Sequence, residues 1–110
     1  MTASKHDFGH GPVPAHQHSY GGGWVADTAY ASGNAYIGPH AEIYDRAEIK
    51  DFARVYDRAR VSGQCIVSGY AQVYGVAHLS GSVKVSDKAR ISGAAEFHGN
   101  EEFSGMDVRY

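Results

Sequence analysis

The sequence predicts an all-β chain: a solenoid of six-residue repeats. Three observations predict it. A six-residue beat runs without insertion from Gly23 to Met106. The third residue of every block is apolar, from Val25, Ala31 and Ile37 through to Phe97 and Phe103. The fifth is always Gly, Asp or Pro, as at Asp27, Gly33, Pro39, Asp45, Gly63 and Gly105.

The chain divides into residues 1–22, 23–106 and 107–110. The first stretch, rich in His, Gly and Pro, predicts an irregular cap. The middle stretch holds fourteen blocks, beginning GWVADT, AYASGN, AYIGPH, AEIYDR. Strand side chains alternate with period two, so the first and third positions of a block share the inward face. The first position is small in nearly every block, which suits a tight interior. The third is mostly β-branched, which suits a strand. Gly and Asp at the fifth position accept the positive φ of a corner. A six-residue apolar beat keeps no single face on a 3.6-residue helix, and no two-residue Asn-Gly loop joins longer alternating strands. Phe97 and Phe103 enlarge the core towards the C-terminal end, with Glu101 and Glu102 beside them. The last residues, 107–110, are expected to be a tail.

Composition narrows the function classes. A formal charge of −2 over 110 residues argues against bulk nucleic-acid binding. One cysteine, Cys65, leaves no internal disulfide and fits a reducing compartment, and it occupies an inward small position where an inert buried thiol is expected. No long apolar run or secretory leader is present, so no membrane partner and a cytoplasmic location are expected.

The beat resembles the hexapeptide-repeat superfamily, and the resemblance covers Gly23 to Met106. It implies a single-stranded left-handed parallel β-helix, wound as a triangular prism of about five coils with three blocks each, and frequent assembly as a homotrimer. The stretch from His16 to Ile43, HQHSYGGGWVADTAYASGNAYIGPHAEI, is also similar to small bacterial and phage-borne hexapeptide-repeat proteins with a Gly-Gly-Trp-Val opening, many labelled transferases from their fold. That similarity implies that Trp24 plugs the first coil, and that a bacterial cytoplasm or a virion is the setting.

Residues eighteen apart stack on one outer face. The first face carries Trp24, Glu42, Arg60, His78 and Glu96, with Glu42–Arg60 and His78–Glu96 expected as cross-strand pairs. The third face gathers Arg54, Tyr56, Arg58, Tyr74 and Arg90. Arginine beside aromatic rings suits an anionic, nucleotide or glycan ligand, or a partner protein, and those five are the candidate ligand residues. The alternative is that these arginines bridge a trimer contact. Phe52 with Tyr70, and Tyr56 with Tyr74, are expected to stack.

The leading expectation is therefore a non-enzymatic trimeric solenoid that binds or displays through its faces, with no cofactor. One alternative is an acyltransferase-like enzyme using acetyl-CoA, in which His78 is the general base and Glu96 orients it in an intersubunit cleft. An unbroken register without an extruded loop weighs against it. The other alternative is a transition-metal site on a threefold axis built from His16 and His18, an H-x-H pair similar to that in phage tail-spike tips. A γ-class carbonic anhydrase is excluded, because no two histidines have H-x-x-x-x-H spacing.

Overall fold

The structure is a computed structural model, and it describes residues 4–9 and 11–110. Met1, Thr2, Ala3 and His10 lie outside the described residues. Two strands, β1 (Lys5–Asp7) and β2 (Pro12–Gln17), precede β3 (Trp24–Ala26). Two-residue strands follow at every block. The first face stacks β3, β6 (Glu42–Ile43), β9 (Arg60–Val61), β12 (His78–Leu79) and β15 (Glu96–Phe97). The second stacks β4 (Tyr30–Ala31), β7 (Glu48–Ile49), β10 (Ile66–Val67), β13 (Lys84–Val85) and β16 (Glu102–Phe103). The third stacks β5 (Tyr36–Ile37), β8 (Arg54–Val55), β11 (Gln72–Val73), β14 (Arg90–Ile91) and β17 (Val108–Arg109). Neighbours from β3 onward are parallel and offset by eighteen residues, as in Ile49↔Val67↔Val85. This is a parallel β-solenoid of about five coils, and no helix occurs among the described residues.

The core is what the beat predicts. Ile37, Ile43, Ile49, Val55, Val61, Val67, Val73, Leu79, Val85 and Ile91 are fully buried, and so are the first-position alanines from Ala35 to Ala89. Cys65 replaces one of those alanines. Burial pushes its thiol up to about 11, and Sγ donates to the Ser80 carbonyl, 3.2 Å away.

The corners carry a hydrogen bond that the beat alone does not show. Asp45, Asp51, Asp57 and Asp87 all sit at φ between 55° and 59°. Each turns one carboxylate oxygen to the N–H of the glycine eighteen residues on: Gly63, Gly69, Gly75 and Gly105, at 3.0–3.1 Å. A corner of Asp thus hands on to a corner of Gly, whose lack of a Cβ lets the next coil close. Gly81 shows the need: a Cβ there would fall 2.3 Å from the His98 carbonyl oxygen. Asp51→Ala should lose about 3 kcal/mol in urea melts, combining left-handed strain with a lost charge-assisted bond. Asp51→Gly should lose about half of that, because glycine keeps the conformation.

Three sequence expectations change. Residues 1–22 are not an irregular cap throughout. β1 and β2 form an antiparallel hairpin, and β2 continues antiparallel onto β3. The Asp7 carboxylate accepts the N–H groups of Gly9 and Gly11, which closes the turn. Ala15 N–H donates to the Ser4 carbonyl, so by alternation the nitrogens of Pro12 and Pro14 do not point at β1. The hairpin folds over the first face, with Phe8 stacked on Tyr44 at 5.0 Å and His6 on Trp24 at 4.7 Å. Trp24 therefore lies outside the prism, half-buried beneath His6, and does not plug the coil. The segment 18–23 does that. His18 is buried and donates from Nε2 to the Ala35 carbonyl, while Tyr20 and Gly23 bond both backbone groups of Ile37.

The end at 107–110 also differs. β17 continues the register, placing Arg109 at an inward position beside Ile91. Its guanidinium lies 5.2 Å from the Phe103 ring, which in turn packs on Phe97 at 4.7 Å. The Arg109 side chain is exposed there.

Candidate functional site

Arg54, Gln72 and Arg90 stack in register on the third face. One column over, the Tyr56 and Tyr74 rings lie parallel within 3°, centroids 5.0 Å apart. Tyr36 meets Tyr56 edge-on at 6.5 Å, and Tyr20 meets Tyr36 at 5.0 Å, so tyrosines line the face from its N-terminal end. The Tyr56 hydroxyl donates to Gln72 Oε1 at 3.0 Å. Burial raises its phenol above the ordinary value, Tyr74 and Asp57 add to the rise, and Arg54 and Arg90 oppose it. Both guanidiniums are therefore near enough to act on the tyrosine column. At the neighbouring corner Phe52 and Tyr70 stack at 5.4 Å and 8°.

Four of the five candidate ligand residues, Arg54, Tyr56, Tyr74 and Arg90, share this face. Arg58 does not join them. It sits at the far corner with His40, Val76 and Ala94, along an open groove of about 630 Å³. Among the described residues no carboxylate lies within ion-pair distance of Arg54, Arg58 or Arg90. A groove of about 480 Å³ opens at the other corner, lined by Tyr70, Gln72, Lys88 and Arg90. Tyr70, Gln72 and Lys88 were not among the sequence candidates. The signal that finds them is arithmetic: Lys88 follows Tyr70, and Arg90 follows Gln72, by eighteen.

On the first face His78 and Glu96 are register neighbours, but Glu96 turns instead to His98, with Oε1 and Nε2 3.4 Å apart. His98 Nδ1 lies 2.5 Å from the Ser80 hydroxyl. His78 meets the Tyr44 hydroxyl at 3.5 Å and the edge of His98. Its pKa is lowered by burial first, then by Arg60 and His98, against the pull of Glu96. Among the described residues, His78 thus has no hydrogen-bonded carboxylate to orient it. Above it, Glu42 holds both Arg60 (3.0 Å, without the geometry of a linear hydrogen bond) and His6 (2.6 Å), and Arg60 also donates to the Phe8 carbonyl.

His16 and His18 take separate roles. β2 ends at Gln17, and the turn at 19–21 follows His18. Exposed His16 pairs with Asp27 at 2.8 Å, whereas His18 is buried on a backbone carbonyl. Among the described residues no group of three or more His, Cys, Asp or Glu is placed to hold a metal ion. No helix among them is long and apolar enough to cross a membrane. No family description, curated protein or solved structure matches the chain.

Proposed function

We propose that this chain is a non-enzymatic homotrimeric solenoid of the hexapeptide-repeat superfamily, left-handed in its coils, that binds a small anionic ligand on its third face. The observation that carries the reading is the set of cations there, Arg54, Lys88 and Arg90. None has a carboxylate partner among the described residues, and all lie beside stacked aromatic rings. A guanidinium left without an internal counter-ion is a ready donor to carboxylate or phosphate. The superfamily and the left hand rest on the six-residue beat. Assembly is assigned to the corner of Arg58 and Val76, whose apolar groove suits a second copy and leaves the opposite corner open.

The test is calorimetry with inorganic phosphate and citrate, alongside native mass spectrometry. Arg54→Ala combined with Arg90→Ala should weaken anion binding at least about tenfold, given the size of charge-assisted hydrogen bonds, and leave the trimer intact. A double variant that runs as a monomer would reassign both arginines to assembly.

A further inference from the structure

We infer that the groove at Tyr70, Gln72, Lys88 and Arg90 takes a planar aromatic ring that carries a negative charge. This deepens, and rests on, the anion-binding reading of the third face. Phe52 and Tyr70 make two rungs of a ring stack, and both are more than half exposed. The third rung of that column is Lys88, so among the described residues no ring lies against the face of Tyr70 turned towards the next coil. The groove of about 480 Å³ opens at that missing rung. Coils repeat at about 4.8 Å, close to the 5.4 Å between the two rings already present. A flat ring slid beneath Tyr70 continues the stack at the protein's own spacing.

The floor and wall supply the charge selection. Lys88 and Arg90 have no ion-pair partner among the described residues. The adjacent Asp87 is turned to the Gly105 N–H. Gln72 accepts the Tyr56 hydroxyl through Oε1, which leaves its amide nitrogen to donate towards the groove. Two of the four lining residues, Lys88 and Arg90, are cations, and the Gln72 amide nitrogen is a donor, so the ring's substituent is an acceptor with negative charge: a carboxylate or a phosphate.

Paired probes separate the ring from the charge. 2-Naphthoate and its saturated analogue decalin-2-carboxylate have the same charge and nearly the same size, and the saturated one is the more hydrophobic. Titrated calorimetrically into the whole chain, 2-naphthoate should bind about three to ten times more tightly, the range of an aromatic pair. Its ring current should also shift the Tyr70 ring resonances. Tyr70→Leu should erase the preference yet keep binding of both probes, and Lys88→Ala with Arg90→Ala should weaken both. Equal affinity of the two probes, or a preference that survives Tyr70→Leu, would overturn the aromatic site while anion binding stands. Failure of both probes and of phosphate to bind would remove the anion-binding reading with it.

Discussion

Replacing Ile49 with aspartate should abolish cooperative folding of the prism. Ile49 is fully buried at the centre of the second coil, stacked between Ala31 and Val67. Around it the interior is apolar, with Ala47, Ile43 and Val55 in its own coil, and the buried histidine that closes the first coil is engaged with Ala35. An introduced carboxylate therefore finds no donor. An unpaired buried charge costs several kcal/mol, and the lost isoleucine burial removes about 2 kcal/mol more. Set against a total of about 5–15 kcal/mol for an ordinary domain, that is most of the stability. Coils speak chiefly to their neighbours, so the break falls between the capped first coil and the three coils beyond. Ile49→Val, which shortens the side chain without adding charge, should cost only about 1 kcal/mol. Circular dichroism and urea melts of the two variants check this. A β spectrum and midpoint for Ile49→Asp equal to those of the wild type would mean that the third positions do not face inward.

That inward assignment was readable because it depends only on backbone geometry. Alternation and a fixed corner sort every side chain between Gly23 and Met106, whatever its rotamer. Side-chain partnerships depend on more. Glu42 reaches Arg60 on the next strand as the register implies, whereas Glu96 bypasses His78 for His98 in its own block, and Glu48 likewise pairs with Lys50. Residues two apart within a block and residues eighteen apart across coils are both within reach of a long side chain, and the sequence does not rank them. The hairpin was missed for a different reason. Gly9, Gly11, Pro12 and Pro14 read as punctuation, but the register of β1 on β2 puts the prolines where no donor towards β1 is needed. Of the candidate site, the arginine and tyrosine columns were legible from spacing. The groove beside Lys88 was not, because it is made by a ring stack that stops one rung short.

Gly23→Val should release the whole N-terminal closure while the lower coils stay folded. A Cβ at Gly23 would lie 2.3 Å from the Gly38 carbonyl oxygen and 2.4 Å from Ile37 Cγ2, inside the space of fixed backbone and a core side chain. A β-branched residue has no rotamer that escapes this, so the chain must lift away from Ile37. Lifting breaks the bonds of Gly23 N–H and the Tyr20 carbonyl to Ile37, and withdraws His18 from Ala35. It also loosens β2 from Trp24 and takes His6 off the indole. Two backbone hydrogen bonds at about 1 kcal/mol each, plus exposure of Ile37 at about 2–3 kcal/mol, put the loss near 5 kcal/mol. Gly22 is the control. Its φ is +83°, yet a Cβ there meets nothing within 4 Å, so Gly22→Ala should cost only the left-handed strain of about 1–2 kcal/mol. Trp24 is the single tryptophan and reports directly. Its emission should shift to the red in Gly23→Val but not in Gly22→Ala, and new proteolytic cuts should fall ahead of Trp24. Unshifted emission together with a wild-type melt for Gly23→Val would show that the glycine run is not what seals the first coil.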